Sequence, residues 1–521
     1  MKPQKMKISN GVNKYYLKIG RATELKDWRE RRLYRLFEIL PGFLSWATIT
    51  ACFVFSWFAP VGVAIFIIIF DIYWFFKTVY LSLHLHSGYN KMQSNLKIDW
   101  MLKLKGIGNW ERLRHLIIIP VYKETIEVVQ PCFEGLAQSG YPLDKMIVVL
   151  AIEEKSGEAG KELARQITNE FGGKFFKFIT VIHPANIAGE IAGKGSNEAW
   201  AAKKVKEKII DSLNISYENI IVSVFDADTA VSFGYFSCLA YHYLTHPNPT
   251  RVSFQPIPLF VNNVWEAPAL ARVISFSSSF WHMMQQERPE RQITFSSHSM
   301  SFKALDDIGF WQTNVVSEDS RIFWQNYLYY DGNYEVTPLH FPVSMDTNAA
   351  PTFLKSMVNQ YKQMRRWAWG AENLPYMLFG FWKNKKIGIG KKIYWIFSQF
   401  EGFWSWSTNG LMIFLLGWLP LTLGGDKFNA TVLSYNLPRI TRIIMIFAMI
   451  GVVTSAYFSI NLLPPRPKIY AKRNWALMVL QWFLLPLTII IFGAFPAIEA
   501  QTRLMFGKYM GFWTTEKYRD K

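Results

Sequence analysis

Two apolar blocks, one near each end of the 521-residue chain, most constrain what this protein can fold into. The first block is about twice as long as one bilayer-spanning helix, and Pro60 and Gly62 interrupt it near its middle. It therefore predicts two membrane helices, at about 43–59 and 62–83, joined by a tight turn. Since 50% of the residues are hydrophobic, one ordinary soluble domain is excluded.

The second apolar block contains three more segments long enough to span a bilayer, at 403–423, 440–463 and 475–495. Basic residues flank the third segment on both sides, and Pro486 lies within it. Because basic loops tend to stay in the cytoplasm, this pattern favours a re-entrant or interfacial segment, with a further crossing as the alternative. The same tendency assigns the basic N-terminus and the region after residue 84 to the cytoplasm.

The charge balance narrows the kind of partner. Lys and Arg outnumber Asp and Glu by 57 to 39, which gives a formal net charge of +18. No run of Lys or Arg resembles a nucleic-acid-binding tail, so the surplus indicates cytoplasmic flanks of membrane helices or a site for phosphorylated substrates. The widely separated Cys52, Cys132 and Cys238 are predicted to be buried free thiols rather than disulfide partners or zinc ligands.

Between the apolar blocks, short runs rich in β-branched residues alternate with helical patterns. The strand-like runs lie at 115–122, 145–154, 175–183 and 219–228. This alternation predicts a parallel sheet with helices on both faces. In such sheets, ligands bind at the carboxyl ends of the strands. The sequence therefore predicts an α/β domain inserted between N-terminal and C-terminal transmembrane helices.

The segment FDADTA (225–230) begins within the last of these runs. Alternation along a strand would put Asp226 and Asp228 on one side, at the carboxyl end. Two carboxylates there can share a divalent metal, and Mg²⁺ is usually held by one or two carboxylates together with substrate phosphates. A solvated turn is the alternative, but the position after an apolar run favours the metal.

The segment VVSEDSRIFWQN (315–326) offers a second pair of carboxylates, Glu318 and Asp319. One interpretation is the start of a helix, with Ser317 as its cap and the acidic residues in its first turn. In the other interpretation, an Asp here is a general base that takes the proton from an attacking hydroxyl.

The segment NQYKQMRRWAWG (359–370) combines polar groups with aromatic rings just before the chain becomes apolar. An interfacial amphipathic helix explains its Arg and Trp residues but gives no reason for Gln363. Sugars are held by aromatic faces and hydrogen-bond donors, and diphosphates are held by Arg. One short helix that carries Gln363, Arg366 and Trp367 could bind both.

In this order, Asp-Ala-Asp, Ser-Glu-Asp and Gln-x-x-Arg-Trp resemble the D…DxD…TED…QxxRW set of membrane-embedded family 2 glycosyltransferases, in the cellulose synthase-like or glucomannan synthase-like group. The similarity covers about residues 40–521. It departs from the family at residue 317, where Thr is usual, and at residues 153 and 154, where Asp is usual. Four further segments are similar to family motifs, the last of them to a gating loop: IIIPVYKET (117–125), VLAIEE (149–154), GKGSNEA (193–199) and FWTTEK (512–517).

The resemblance implies a role for each matching residue. Asp319 would be the general base, and Asp228 together with Asp226 would hold Mg²⁺ or Mn²⁺ at the diphosphate. The residues implied to contact the donor nucleotide are Glu124, Glu153 (or Glu154), Lys194 and Asp226. Those implied to contact the acceptor and the diphosphate are Gln363, Arg366, Trp367 and Glu318. The gating residues Thr515 and Lys517 would close over the donor.

The implied activity is that of an inverting, metal-dependent hexosyltransferase with a Rossmann-like nucleotide-sugar (GT-A) domain. It would move a hexose from UDP- or GDP-hexose to a hydroxyl of a glycan or lipid-linked sugar in polysaccharide synthesis, with no nucleic-acid partner. Three alternatives stay open. They are a non-processive transferase that acts on a lipid-linked sugar, a transporter or channel with a nucleotide-sensing domain, and an inactive sugar-binding scaffold.

The expected protein is a multi-pass integral membrane protein in the lipid bilayer, with its catalytic domain in the cytoplasm; if the chain is prokaryotic, this membrane is the plasma membrane. Its expected divisions are a basic cytoplasmic N-terminus (1–40), two transmembrane helices (41–84), a GT-A domain with the QMRRW interfacial helix (85–390), C-terminal membrane helices (391–500) and a gating-loop-like tail (501–521).

Overall fold

The computed structural model of the chain describes residues 14–471 and 473–519. The first third of the predicted basic N-terminus and the last two residues of the predicted tail therefore lie outside the described residues. A mixed α/β domain occupies the middle of the chain, and long apolar helices precede and follow it.

One sheet of eight strands forms the centre of the domain, in the spatial order β3-β2-β1-β4-β7-β6-β8-β5. The first four strands pair in parallel. β7 is antiparallel to β4 and β6, β6 is parallel to β8, and β5 is antiparallel to β8. The strands are β1 (Arg114–Val121), β2 (Met146–Glu153), β3 (Lys177–His183), β4 (Ile220–Val224), β5 (Ala230–Val231), β6 (Val252–Phe260), β7 (Ser299–Ser301) and β8 (Glu335–Met345).

Helices cover both faces of the sheet, which explains why the predicted strands are apolar without alternation. In β1, Leu116 and Ile118 pack into one apolar cluster, whereas Ile117 and Ile119 pack into another on the opposite face. All four side chains are completely buried. The predicted parallel arrangement of the first four strands is therefore confirmed, and the antiparallel additions make the whole sheet mixed.

The fourth strand is shorter than the sequence predicts. β4 ends at Val224, and a turn follows in which the Thr229 backbone N–H donates to the Asp226 carbonyl (2.9 Å). This turn, not alternation along a strand, therefore positions Asp226 and Asp228. The apolar run hides the boundary, because Phe225 and Ala227 are buried although they lie beyond the strand.

Twenty α-helices connect and flank the strands within the described residues. They are α1 (Trp28–Phe58), α2 (Pro60–Asn95), α3 (Trp100–Lys105), α4 (Ile126–Ala137), α5 (Gly157–Phe171), α6 (Lys194–Val205), α7 (Tyr235–Thr245), α8 (Ala269–Gln286), α9 (Phe302–Ile308), α10 (Glu318–Tyr329), α11 (Phe353–Ala368), α12 (Asn373–Lys383), α13 (Ile389–Phe414), α14 (Leu419–Leu423), α15 (Gly425–Asn429), α16 (Val432–Ala448), α17 (Ile450–Leu462), α18 (Arg473–Leu480), α19 (Leu485–Thr488) and α20 (Phe495–Met505).

Four helical segments are long and apolar enough to cross a membrane, and a fifth, bent by 49°, passes the same test if its two parts count as one span. Each of the five predicted apolar segments falls on one of them. The first two helices are longer than predicted, because their polar turns pack on the α/β domain. The segments are Trp28–Phe58, Pro60–Asn95, Val432–Leu462, Asn474–Met505 and the bent pair Ile389–Phe414 with Leu416–Leu423.

The segment nearest the C-terminus, Asn474–Met505, contacts elements that lie next to the sheet. It does so toward both of its own ends. Toward its start, Trp482 stacks on Phe280 of α8, with ring centroids 5.8 Å apart. Toward its end, Glu499 forms an ion pair with Arg365 of α11 (2.6 Å). Both ends of this segment therefore approach the side of the protein that carries the α/β domain.

Candidate active site

Two aspartates meet where β4 and β8 end. Asp346 directly follows β8, and its backbone N–H donates to Asp228 Oδ2 (2.9 Å). Asn262 Nδ2 donates to the Asp228 carbonyl oxygen (3.0 Å) and to Asp346 Oδ1 (3.1 Å), which holds the two residues together. Asp346 was not among the predicted site residues, although its position directly after a long apolar strand is a signal for such a residue.

Lys194, the first residue of α6, joins two of the predicted site carboxylates. Its Nζ lies 2.8 Å from Asp226 Oδ1 and 3.0 Å from each carboxylate oxygen of Asp319. Ser296 Oγ donates to the other Asp226 oxygen (2.8 Å). One ammonium group therefore brings together Asp226 and Asp319, which are far apart in the sequence.

Charge and burial oppose each other at these aspartates. Burial tends to raise the pKa of Asp226, but the ammonium groups of Lys194 and Lys517 outweigh it and hold that pKa below its usual range. At Asp228, burial prevails over Lys517 and raises the pKa. The carboxylates of the site thus depend on neighbouring cations to remain ionised.

The C-terminal tail supplies two of these cations. The Lys517 ammonium pairs with Asp228 Oδ2, and Arg519 pairs with Asp346 (2.6 Å). Thr515 is buried, and its Oγ1 has no hydrogen-bond partner among the described residues. The two predicted gating residues therefore lie in a segment that covers the acidic strand ends. The pairing of Arg519 was not predicted.

Asp319 lies in the first turn of α10, and a glutamate from elsewhere in the chain holds the start of this helix. Glu372 Oε1 accepts hydrogen bonds from the backbone N–H groups of Val316 (2.9 Å) and Ser317 (2.8 Å). Ser317 Oγ also donates to Glu372 (2.7 Å), so Ser317 does not cap the helix with its own side chain. Trp369 Nε1 donates to the other Glu372 oxygen (2.9 Å).

Replacing Glu372 with Ala is expected to destabilise the protein by about 3 kcal/mol or more, because four donors lose their common buried acceptor. Thermal unfolding in detergent measures this effect. Glu162→Ala is the matched control, since Glu162 is an exposed partner of Arg165 and its loss should change stability by less than about 0.5 kcal/mol. Equal unfolding temperatures for the two variants would contradict the anchoring role.

A second acidic group lies beside Lys194. Carboxylate oxygens of Glu198, Glu318 and Asp319 all lie within 4.8 Å of one another, which is close enough to hold a metal ion. However, Lys194 Nζ lies 3.6 Å from Glu198 and 3.0 Å from Asp319, so an ammonium group already offsets part of the negative charge of this trio. Burial raises the pKa of both Glu198 and Glu318, which further reduces the negative charge available to a metal.

Asp228 is a second candidate ligand for a divalent cation, although Lys517 pairs with it. Its Oδ1 is buried and has no hydrogen-bond partner in the described part of the chain, although the rest of the carboxylate is firmly held. A carboxylate oxygen of this kind is the ligand that Mg²⁺ and Mn²⁺ prefer. The residues present are therefore compatible with the predicted metal at Asp226 and Asp228.

Three of the four predicted acceptor residues lie on α11, and the fourth, Glu318, is the first residue of α10. Gln363 is buried and accepts a hydrogen bond from Gln360 (3.1 Å). The Arg366 guanidinium lies 5.1 Å from the centre of the Phe512 ring in the tail, and the Trp367 ring lies 5.9 Å from that of Phe260. α11 therefore lies between the end of β6 and the tail that reaches the aspartates.

The first predicted nucleotide residue, Glu124, follows β1. Its carboxylate accepts hydrogen bonds from its neighbours' backbone N–H groups, Tyr122 (2.7 Å) and Lys123 (3.1 Å), so it shapes its own loop. Within the described residues, no hydrogen bond or ion pair joins Glu124 to Lys194, Asp226 or Asp319. Its position at the end of β1 is still on the ligand-binding edge of the sheet.

Another predicted nucleotide residue, Glu153, is the last residue of β2 and is almost completely buried. Its carboxylate contacts His183 Nδ1 (3.0 Å), and His183 Nε2 contacts Glu190 (3.1 Å). Burial tends to lower the pKa of His183, but the two carboxylates outweigh it and raise that pKa to about 9. The alternative residue, Glu154, accepts a hydrogen bond from the Ala185 backbone N–H (2.7 Å).

A mixed α/β sheet with aspartates at its strand ends, set between two sets of apolar helices, confirms the predicted fold class, a nucleotide-sugar (GT-A) domain. Residues 221–497, more than half of the chain, match the family described as glycosyl transferase family group 2. The chain therefore belongs to this family and is a family 2 glycosyltransferase.

Solved glycosyltransferase structures are similar to this chain at low identity. The mannosyltransferase PcManGT from Pyrobaculum calidifontis, in complex with GDP-Man and Mn²⁺, is 13% identical, covers 79% of this chain and 99% of its own, and has a TM-score of 0.39. The 1–349 fragment of S. aureus TarS, in complex with UDP-GlcNAc, is 13% identical, covers 69% and 95%, and has a TM-score of 0.35. No curated protein sequence matches the chain.

Proposed function

We propose that this glycosyltransferase belongs to the membrane-embedded, cellulose synthase-like group. It moves a hexose from UDP- or GDP-hexose to a hydroxyl of a glycan or lipid-linked sugar at the cytoplasmic face of the membrane, in polysaccharide synthesis, with inversion at the anomeric carbon. The observation that carries this proposal is Lys194, whose ammonium group holds the donor-site carboxylate of Asp226 and the expected base Asp319 around one point.

Asp319 accepts the proton of the acceptor hydroxyl while the hydroxyl oxygen attacks the anomeric carbon. The bond between that carbon and the diphosphate oxygen breaks as the new bond forms on the opposite face, so the configuration inverts. The diphosphate leaves with both bonding electrons. Lys194 Nζ lies 2.8–3.0 Å from Asp226 and Asp319. It can therefore pair with these carboxylates in the free site and with the negative charge of the departing diphosphate in the occupied site.

Other residues would orient the two substrates. Arg366 and Lys517 offer positive charge to the departing diphosphate, and Trp367 with Gln363 offers an aromatic face and an amide to the acceptor. Glu124 and Glu153 are assigned to the nucleotide end of the donor. A divalent metal held by Asp228 and Asp226 would neutralise part of the diphosphate charge when bound.

The proposed orientation puts the α/β domain and the tail in the cytoplasm. The pairing of Lys517 with Asp228 supports one side for both, and the contacts of Trp482 and Glu499 support an interfacial path for the segment 474–505. The divisions at residues 40, 84, 390 and 500 are proposed with it.

A donor screen tests the proposal. Purified enzyme in detergent is expected to release the nucleoside diphosphate from either UDP-sugars or GDP-sugars. The product is expected to have the inverted anomeric configuration, which NMR detects. Preparations of the Asp319→Asn variant control for contaminating transferases. If no UDP- or GDP-sugar is consumed while a nucleotide sugar binds, the sensing or scaffold alternative is correct instead.

A further inference from the structure

Arg288, just after α8, is a buried arginine without an anionic partner. The residue is only 8% exposed, and the Nε atom of its side chain has no hydrogen-bond partner among the described residues. Within residues 14–471 and 473–519 it forms no ion pair, and its guanidinium lies 5.5 Å from the centre of the Tyr80 ring. Since removal of a charge from water is costly, buried charges are normally paired. An anion that binds at Arg288 would supply the missing partner.

The neighbouring carboxylate does not serve this purpose. Glu287 is adjacent in sequence, but its oxygens are taken by Lys91 (2.8 Å), His340 (2.7 Å) and Ser87 (2.7 Å). Glu287 therefore ties α2 to β8 and is directed away from Arg288. Apart from a longer-range attraction to the exposed Glu290, the charge of Arg288 is left for a group from outside the chain.

A second arginine and a lysine surround the same place. Arg291 lies 3.4 Å from Glu401 in α13, and Lys77 in α2 pairs with the same carboxylate. Burial and the nearby charge of Arg291 both lower the pKa of Arg288, so the two guanidinium groups are close enough to repel each other. Three cations thus face one partly buried carboxylate, Glu401, and one exposed carboxylate, Glu290, which leaves a surplus of positive charge.

The cluster lies where membrane helices meet the α/β domain. Lys77 follows the start of α2 by 17 positions, roughly 26 Å along a helix, which is close to the ~30 Å thickness of a hydrocarbon core. Tyr80 and Trp281 are 44% and 40% exposed, and Tyr and Trp are enriched at such boundaries. A phosphate attached to a lipid is an anion that is found at this level of a membrane.

The chain that carries Arg291 continues into the catalytic site. Thr294 Oγ1 donates to the Asp319 carbonyl oxygen (2.6 Å), and Ser296 Oγ donates to Asp226 (2.8 Å). Arg291 precedes Thr294 by three residues, a reach of about 10 Å in an extended chain. A phosphate at Arg291 would thus lie at most about 10 Å along the chain from the residue that contacts the main chain of Asp319.

We propose that Arg288 and Arg291 bind the phosphate of a membrane-anchored, phosphate-linked sugar acceptor. This inference rests on the proposed function and selects the lipid-linked acceptor over a free glycan. Bulk anionic phospholipid and inorganic phosphate offer the same chemistry, so the experiment compares all three.

The first measurement is binding of decyl phosphate to the purified enzyme in non-ionic detergent, by calorimetry. Arg288→Met and Arg291→Gln are each expected to weaken this binding roughly ten- to hundredfold, since each removes charged hydrogen bonds. Arg251→Gln is the matched control, because Arg251 also lies over a tyrosine ring, Tyr330 (5.3 Å), but is exposed and remote from this cluster. Decyl phosphate is also expected to inhibit transfer competitively with the acceptor and not with the donor.

Stability separates a binding arginine from a structural one. Arg288→Met should leave the Tm of the ligand-free enzyme unchanged or higher, because it removes an unpaired buried charge. It should also abolish the rise in Tm that decyl phosphate gives to the wild type. If Arg288→Met does not fold, Arg291→Gln decides, since Arg291 is partly exposed.

Several results would overturn the inference. Binding unchanged in both arginine variants would do so, and so would equal affinity for inorganic phosphate or for phosphatidylglycerol in nanodiscs. Competition with the donor instead of the acceptor would place decyl phosphate at the diphosphate site. If no donor is turned over, the proposed function is wrong. The binding of decyl phosphate by the wild type and the two arginine variants still tests the phosphate site independently.

Discussion

Replacing Asp319 with Asn is expected to lower kcat by about 10²–10⁴-fold, because the variant cannot accept the proton of the acceptor hydroxyl. The Kd of the donor sugar nucleotide should change little, since Lys194 keeps its ion pair with Asp226 in the variant. The hydrogen bond from Thr294 to the Asp319 carbonyl is a backbone contact and should also survive. Steady-state kinetics and donor binding by calorimetry measure the two effects separately.

Asp331→Asn is the matched control, because Asp331 lies just beyond the other end of α10 and pairs with Lys14 (2.9 Å). It should retain turnover close to that of the wild type. Should Asp319→Asn lose donor affinity together with rate, Asp319 would be a donor-site or helix-start residue and not the base. Unchanged turnover would exclude it from the reaction altogether.

Replacing Asp228 with Asn is expected to reduce activity at least about a thousandfold, since a bound metal contributes several kcal/mol of transition-state stabilisation. The protein should still fold, because the Asn oxygen can accept the hydrogen bond from the Asp346 backbone N–H. EDTA should inactivate the wild type, and Mg²⁺ or Mn²⁺ should restore it. Activity and metal binding are compared in the same preparations.

Asp306→Asn provides the control for the loss of a lysine-paired carboxylate, since Asp306 pairs with Lys206 at a distance from the acidic strand ends. It should keep metal-dependent activity. Full activity of Asp228→Asn after EDTA treatment would refute the metal assignment. Loss of activity without loss of metal binding would point instead to the pairing of Asp228 with Lys517.

The central fold could be predicted because its signals are local. β1 and β2 are continuous apolar runs, and burial on both faces of a sheet produces that pattern. The start of α1 could not be predicted in this way, because its first turns are polar. Glu38 in these turns is buried and accepts a hydrogen bond from the Ala22 backbone N–H (3.1 Å), a tertiary contact that hydropathy does not report.

The ordered motifs drew attention to Asp226, Asp228 and Asp319 but not to the residues that hold them. Asp346 donates its own backbone N–H to Asp228, and Glu372 accepts hydrogen bonds from backbone N–H groups of a distant segment. Only Asp346 has a local signal, its position directly after a long apolar strand, whereas no local pattern distinguishes Glu372 from a surface carboxylate. The ion pairs of Lys194 likewise depend on the turn after β4 and on the start of α10. Such partners become visible only when the chain is folded.

The pairing of Asp228 with Lys517 has a consequence for the order of biosynthesis. The two residues are 289 positions apart, and ribosomes add roughly 5–20 residues per second, so Asp228 is made about 15–60 s before its cation. Throughout that interval, the nascent sheet carries a carboxylate whose partner does not yet exist. Tail-deleted translation products should therefore lack the cation that favours the ionised form of Asp228, which is a chemical difference between them and finished chains.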